Sequence, residues 1–154
     1  MQNPRSKTPL VARLALGAAF LLFGLNGFFQ FLPAPAEPPP AGAMAFVGAL
    51  LQTGYMFPLI KGTEVVAGAL LLSGRYVPLA LTLLAPVVVN ILAFHLFLAP
   101  GVGGLVLPIV LLALGLYLAW TERAVFKPFF EARRGEQPLS VRGPSAGAGA
   151  QITT

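Results

Sequence analysis

The sequence contains no cysteine and a single histidine, His95, among 154 residues. The absence of cysteine excludes disulfide bonds, thiol–disulfide relays, iron–sulfur clusters and thiolate metal sites. One histidine without thiolate ligands is a poor basis for a zinc or haem site, so we predict no bound metal.

Charged residues are also scarce, at 10% of the chain, whereas 56% of the residues are hydrophobic. A soluble domain of this size needs a charged surface that this composition cannot supply. The formal net charge is +5, but the basic residues flank apolar segments and form no patch interleaved with aromatic residues. We therefore predict no nucleic-acid partner and an integral membrane protein in a lipid bilayer.

Four apolar runs are candidates for membrane-spanning helices, which need about 20 residues to cross a bilayer. They cover residues of about 10–32, 58–73, 77–98 and 102–121. After the first run comes LPAPAEPPPAGA, whose prolines predict an extended loop, and then the short apolar run 43–54. Because about three turns cannot span a membrane, this run is predicted to be an interfacial or re-entrant helix.

The predicted fold is therefore all-α, an integral membrane four-helix bundle with a short interfacial helix between spans one and two. The predicted organisation has an N-terminal segment at residues 1–9, a membrane domain at 10–130 and a tail at 131–154. The tail is rich in Gly, Ala, Ser and Pro, a composition typical of disorder. Pro86 predicts a kink in span three.

The basic residues predict the orientation, because Lys and Arg accumulate in cytoplasmic flanks. The loops at about 33–57 and 99–103 have no basic residue and one acidic residue, Glu37. We therefore predict a multi-pass protein of the cell (inner) membrane with both termini in the cytoplasm. The opposite flanks contain nine of the ten basic residues, namely Arg5, Lys7, Arg13, Arg75, Arg123, Lys127, Arg133, Arg134 and Arg142.

A cleavable signal peptide is the alternative for the first run, since Ala34-Pro35-Ala36 follows it. The run is longer than a usual signal core and contains Asn26, and proline between the two alanines makes a poor processing site. Cleavage would leave the topology of the other three spans unchanged.

Polar side chains within the predicted spans concentrate between the midplane and the outer surface. Ionisable groups near the bilayer centre cost about 2.5–3.5 kcal/mol each, so we predict that this layer forms an internal site. The layer consists of Asn26 and Gln30 in span one, Lys61 and Glu64 in span two, and Asn90 and His95 in span three.

The spacing of these residues refines the prediction. Lys61 and Glu64, at i,i+3, share a helix face, as do Asn26 and Gln30 at i,i+4. In contrast, positions 90 and 95 are about 140° apart on an ideal helix, which opposes a single pocket unless the Pro86 region twists the helix.

Each polar residue also has a structural interpretation. A buried carboxylate is hard to explain by packing alone, which favours a ligand or proton role for Glu64. For Lys61 an ammonium that extends to the headgroups is favoured, and for His95 a hydrogen bond between helices or an interfacial position is favoured over a functional role. For Asn26 and Gln30 helix–helix hydrogen bonds are favoured. The predicted ligand- or proton-exchanging residues are Glu64, His95, Asn26 and Asn90, with Lys61 and Gln30 as weaker candidates.

Four stretches occur in order over residues 13–130: FLLFGLNGFFQFLP, GYMFPLIKGTEVVAGALLL, VPLALTLLAPVVVNILAFHLFL and LYLAWTERAVFKPFF. They resemble the DoxX family of small four-helix membrane proteins. The most specific pieces are FGLN, the PLI…EV segment and APVVVNILAFH, and none of them is a catalytic signature. The resemblance places Asn26, Glu64, Asn90 and His95 at positions of the family motifs, whereas Lys61 matches no fixed position.

The DoxX family is named for a membrane subunit of a thiosulfate:quinone oxidoreductase. The resemblance therefore implies a quinone-interacting subunit with a soluble or membrane oxidoreductase as partner and no cofactor in the chain itself. Two other functions stay open: a non-catalytic scaffold or assembly partner and, less favoured, a small proton-coupled transporter. The transporter is less favoured because the inner half of the bundle has no polar residues to complete a path, and four helices without a repeat form a small frame unless the chain forms a homo-oligomer.

Overall fold

The computed structural model describes residues 7–33 and 37–130, and these residues fold into helices without any strand. Four of the helices are long and apolar enough to cross a membrane by length and composition. The prediction of an all-α fold with four such helices is therefore confirmed, whereas the predicted tail at 131–154 lies outside the described residues. In chain order the helices are α1 Thr8–Phe29, α2 Ala41–Gln52, α3 Met56–Ser73, α4 Val77–Phe97, α5 Val102–Thr121 and α6 Arg123–Phe130.

The four long helices form a ring in which α1 and α4 each contact both α3 and α5. Short connections make α3, α4 and α5 alternate in direction, as in an up-down bundle. We call the end that includes α2 the α2 end and the opposite end, which includes α6, the α6 end. The core between the helices is formed by apolar residues such as Leu16, Phe20, Leu71, Leu84 and Leu111.

The outer surface of the bundle is also apolar. Phe97 is 79% exposed, Leu79 51% and Val89 61%, and many other large apolar side chains are similarly open. Soluble monomers rarely present so continuous an apolar exterior, whereas a lipid-facing bundle does.

α1 and α3 pack closely because glycines face the contact. A Cβ at Gly68 would lie 2.6 Å from the backbone nitrogen of Leu21 and 2.9 Å from the carbonyl oxygen of Gly17. At Gly24, a Cβ would lie 2.9 Å from the backbone nitrogen of Val65. Small residues let helix backbones approach in this way, which favours association even where both partners are apolar. The contact fixes α3, with its two charges, against α1.

α1 ends earlier than its apolar run, which continues to Leu32. The helix stops at Phe29 because Gln30 adopts a left-handed conformation with φ 50°. The side-chain Oδ1 of Asn26 then accepts the backbone N–H of Leu32 at 2.7 Å. A polar turn thus ends the helix inside an apolar stretch, which residue hydropathy alone does not predict.

α4 continues as one helix through Pro86. Proline has no N–H, so the carbonyl of Thr82 loses the donor that an ordinary residue would supply four positions later. The Thr82 hydroxyl donates to Pro78 O at 2.9 Å and does not replace that donor.

Candidate functional site

An ion pair lies inside the bundle on α3. The ammonium of Lys61 is 2.9 Å from Oε2 and 3.0 Å from Oε1 of Glu64. Glu64 is 2% exposed. The pair follows the i,i+3 spacing and is the one ion pair among residues 7–33 and 37–130. The buried carboxylate therefore has its charge balanced by a residue of its own helix.

The path of the Lys61 side chain is determined by two contacts. Its methylene stem passes over Gly27 of α1, where a Cβ would lie 2.5 Å from Cγ and Cδ. Its ammonium lies 5.9 Å from the ring centroid of Phe57, a distance typical of a cation–π contact. These contacts direct the ammonium to Glu64, so of the two predicted arrangements for Lys61 the structure shows the pair rather than the extended side chain.

His95 is oriented by its own helix and by α5. Its Nδ1 is 2.8 Å from the carbonyl oxygen of Ile91. Since a carbonyl only accepts, Nδ1 carries the proton and Nε2 remains for another partner. The ring packs at the backbone of Gly104, where a Cβ would lie 3.3 Å from Cδ2. These contacts fix the orientation of the imidazole and leave Nε2 available for a hydrogen bond to another group.

A cavity of about 740 Å³ lies between α2, α3 and α4, and we call it the lateral cavity. Its walls are mostly apolar and aromatic, and its rim at Leu59, Pro86 and Asn90 is exposed, so it opens on the side of the bundle. Its polar side chains are those of Lys61, Thr63, Glu64, Thr82, Asn90 and His95. The lining includes Phe46 and Leu50 of α2, Phe57, Lys61, Thr63 and Glu64 of α3, and Thr82, Pro86, Asn90, Phe94 and His95 of α4.

Asn90 and His95 both line the lateral cavity, although their spacing opposed a single pocket. The lining positions on α4 extend from Thr82 to His95 and cover about 220° of an ideal helix. α2 packs against the C-terminal part of this α4 surface, where Phe46 contacts Phe94 with ring centroids 5.9 Å apart. A cavity this broad reaches both residues without a special twist of α4.

A second cavity of about 480 Å³ lies between α1, α3, α4 and α5, and we call it the central cavity. Asn26 of α1 and Gln30, the residue that follows α1, line it on one side, and Leu107 and Leu111 of α5 line it on another. Gln30 is exposed at the end of α1, so this cavity opens at the α2 end. The two cavities share one wall, formed by Phe57, Lys61, Glu64, Ile91 and His95.

All six polar residues of the predicted layer line at least one cavity. Glu64, Lys61 and His95 line both cavities. Asn90 lines only the lateral cavity of the two, whereas Asn26 and Gln30 line the central one. The side-chain oxygen of Asn26 already accepts a hydrogen bond from the backbone N–H of Leu32. The side-chain N–H groups of Asn26 therefore remain as donors to the cavity.

Three further residues shape the site and are not among the predicted positions. Gly27 and Gly104 make room for Lys61 and His95, and Pro86 frees the carbonyl of Thr82 beside the lateral cavity. The sequence does contain a signal for Gly27, because Gly24 and Gly27 lie on one face of α1, as small residues at helix contacts do. Gly104 has no comparable signal, because its role depends on a contact between α4 and α5.

The described part of the chain contains no group of three or more His, Cys, Asp or Glu side chains that could hold a metal ion. The site instead offers one carboxylate, one ammonium, one imidazole nitrogen and primary amides. Such groups donate and accept hydrogen bonds and exchange protons with a ligand.

Comparisons of the chain with family models, with curated proteins and with solved structures find no match. The resemblance to the DoxX family therefore stays a prediction, which these comparisons neither support nor contradict.

Proposed function

We propose that this chain is a multi-pass membrane protein of the DoxX type that binds a quinone in the lateral cavity. The proposal rests on one observation: the Lys61–Glu64 pair and His95 form a wall shared by two cavities. One cavity is mainly apolar and opens on the side of the bundle, where lipid would surround it. The other opens at the α2 end, where water would reach it.

Placement in the cell membrane with both termini in the cytoplasm is part of this proposal. The four apolar helices support membrane insertion. The charge distribution supports the orientation, because basic residues concentrate at the α6 end and few reach the α2 end. At the α6 end the described basic residues are Lys7, Arg13, Arg75, Arg123 and Lys127.

The residues of the lateral cavity fit a quinone. A quinone headgroup is a flat ring with carbonyl acceptors, and it needs apolar walls with a few hydrogen-bond donors. Phe46, Phe57 and Phe94 supply aromatic walls, and Lys61 and Asn90 supply N–H donors. A bound quinone would supply two-electron chemistry, in which reduction to the quinol takes up two protons.

The ion pair suits proton exchange beside such a ligand. With Glu64 ionised, the ammonium of Lys61 is committed to its two oxygens, and the buried pair has no net charge. When Glu64 accepts a proton, Lys61 loses its anionic partner and its N–H groups become available to a ligand carbonyl. Nε2 of His95 offers a second position for a proton at the same wall.

The central cavity would connect this wall to water. Amides of Asn26 and Gln30 line it, and Gln30 is exposed at its mouth. Glu64 could then exchange protons with the aqueous phase on one side and with the ligand on the other. Electrons would come from a soluble or membrane oxidoreductase partner, as the DoxX resemblance implies.

A transporter function has less support in the structure. A further cavity, between α4 and α5 at the α6 end, is lined almost wholly by hydrocarbon. A proton or polar substrate would therefore find few polar groups between Glu64 and the α6 end. The scaffold function predicts no ligand in the lateral cavity, so a binding experiment separates it from the quinone proposal.

The experiment is photolabelling of the protein in lipid nanodiscs with an azido-quinone, with decylubiquinone as competitor. We expect labelled peptides from α2, α3 and α4, with labelling reduced by the competitor. Glu64→Gln and His95→Gln should weaken competition about tenfold, which corresponds to about 1.4 kcal/mol. Thr121→Val is the matched control, since that hydroxyl bonds within α5 to Leu118 O at the α6 end.

Two results would contradict the quinone proposal. In the first, labelling is spread over all lipid-facing helices and decylubiquinone does not reduce it. In the second, Glu64→Gln and His95→Gln bind as the wild type does. Reduced thermal stability of these variants without specific labelling would favour the scaffold.

A further inference from the structure

An apolar cleft of about 530 Å³ lies between α4 and α5 at the α6 end, away from the shared wall. Its lining side chains are almost all hydrocarbon, including Leu16, Leu84, Val88, Leu112 and Phe126. The hydroxyl of Thr82 is one polar group there, and it is bonded within its own helix. The cleft can therefore accommodate a hydrocarbon chain but offers little to a polar ligand.

The cleft is open along the side of the bundle. Val89 is 61% exposed, Leu116 62% and Trp120 69%, and these residues form its rim. A flexible hydrocarbon chain could enter from the surrounding bilayer without any movement of the helices. Trp120 lies at the α6 end of this rim, a position typical of tryptophan at a membrane interface.

Two cations lie next to this end of the cleft. Arg123 and Lys127 are exposed on α6 and share a face through their i,i+4 spacing. The guanidinium of Arg123 lies 5.4 Å from the Trp120 ring, and its Nη1 donates to Trp120 O at 3.2 Å. Because a guanidinium has five N–H donors, most of them remain for another acceptor.

Neither cation is neutralised by a carboxylate within residues 7–33 and 37–130, where Lys61–Glu64 is the one ion pair. The acidic neighbour Glu122 precedes Arg123 in the chain without pairing with it. The hydrocarbon cleft therefore meets Arg123 at Trp120, and Lys127 lies about one helical turn further along α6. This combination matches a molecule with an acyl chain and a negatively charged head.

We infer that the cleft binds an anionic phospholipid, with one acyl chain between α4 and α5 and the phosphate at Arg123 and Lys127. The inference uses the membrane placement proposed above but does not depend on quinone binding. A zwitterionic phospholipid would fill the cleft equally well, yet its second charge opposes part of the attraction to the two cations. Headgroup preference is therefore the property to measure.

The experiment is native mass spectrometry of the purified protein titrated with phosphatidylglycerol or phosphatidylcholine of identical acyl chains. We expect one tightly retained phosphatidylglycerol and about ten- to thirtyfold weaker retention of phosphatidylcholine. The double variant Arg123→Ala/Lys127→Ala should lose this preference. Lys7→Ala is the control, because Lys7 is an exposed cation at the same end that precedes α1 and does not belong to α6.

A second pair of variants tests the acyl chain. Gly115 lines the cleft, and a Cβ there meets nothing within 4 Å, so Gly115→Phe fills the space without a backbone clash. It should weaken retention of both lipids. Gly48→Phe in α2 is the control, since Gly48 also has nothing within 4 Å and lies outside the cleft.

Three results would overturn the inference. They are equal retention of the two lipids by the wild type, an equal loss of preference in Lys7→Ala, and unchanged phosphatidylglycerol retention in Gly115→Phe. Competition by decylubiquinone, measured on the same variants, should stay unchanged. The lipid site and the quinone site can therefore fail independently.

Discussion

The methylene stem of Lys61 in α3 lies directly on the backbone of Gly27 in α1. A Cβ at position 27 would lie 2.5 Å from both Cγ and Cδ of the lysine, closer than carbon atoms pack. Lys61 could not keep its path if position 27 had a side chain. Since that path brings the ammonium to Glu64, Gly27 acts as a positioning residue for the ion pair.

Gly27→Ala should therefore weaken ligand binding without unfolding the protein. The clash is with a flexible side chain rather than with backbone, so Lys61 would move and its hydrogen bonds to Glu64 would lengthen or break. We expect about tenfold weaker decylubiquinone competition, or about 1.4 kcal/mol, and a small change in thermal stability.

The control for this variant is Gly62→Ala on α3, where a Cβ meets nothing within 4 Å. Alanine at this helix position should leave binding unchanged and raise stability by about 0.5–1 kcal/mol. Equal binding by Gly27→Ala and the wild type would show that the path of Lys61 does not matter for the ligand.

Gly68→Ala should act on stability instead. A Cβ at Gly68 would lie 2.6 Å from the backbone nitrogen of Leu21, and backbone cannot rotate away as a side chain can. α1 and α3 would have to separate, at a cost of about 1–3 kcal/mol typical of overpacking. Thermal unfolding in detergent measures the loss, with Gly48→Ala as the control. An unchanged melting temperature would contradict the close packing of the two helices.

Variants of the Lys61–Glu64 ion pair can distinguish an effect on stability from an effect on ligand binding. Lys61→Met would leave the Glu64 carboxylate buried and uncompensated, which we expect to cost about 3 kcal/mol. This loss of stability is at the lower end of the range for breaking a buried ion pair, because the Lys61 side chain is 22% exposed. Replacing both residues, as Lys61→Met/Glu64→Met, should restore most of the stability because well-packed apolar pairs often replace buried ion pairs without loss.

The double variant is informative because its binding should not recover with its stability. If the pair serves the ligand, decylubiquinone competition stays weak in a protein that melts near the wild-type temperature. If binding returns together with stability, the pair is a packing element and the proposed role of Glu64 is wrong.

Much of the fold follows from the lengths of the apolar runs. The runs at about 77–98 and 102–121 correspond to α4 at Val77–Phe97 and α5 at Val102–Thr121. Glycine and proline separate these helices, so hydropathy and turn residues together locate them. The end of α1 could not be predicted in this way, because the amide of Asn26 ends the helix within an apolar stretch.

The polar residues of the candidate site could be identified from the sequence, but their arrangement could not. The i,i+3 spacing indicates that Lys61 and Glu64 can pair, because both lie on one helix. The orientation of Lys61 depends on Gly27 of another helix, and that of His95 depends on Gly104 of α5. Such contacts arise only when helices pack, so a single sequence predicts the residues without the two cavities that they separate.

The central cavity gives a prediction about water. If it is an aqueous route to Glu64, a thiol at its wall should react with a hydrophilic, membrane-impermeant reagent added at the α2 end. The chain has no cysteine, so an introduced thiol reports only on its own position. Leu111 lines the central cavity and Leu84 lines the apolar cleft, and they are 3% and 2% exposed. Leu111→Cys is suited to this test, with Leu84→Cys as its control.

We expect a charged methanethiosulfonate to modify Leu111→Cys much faster than Leu84→Cys in sealed vesicles, because only the first thiol would contact water. A lipid-soluble maleimide should modify both, which shows that each thiol is intact. Burial does not explain a difference between the two, since the wild-type side chains are about equally enclosed. Equal protection of both thiols from the charged reagent would mean that the central cavity is dry. Glu64 would then have no route for protons from the α2 end.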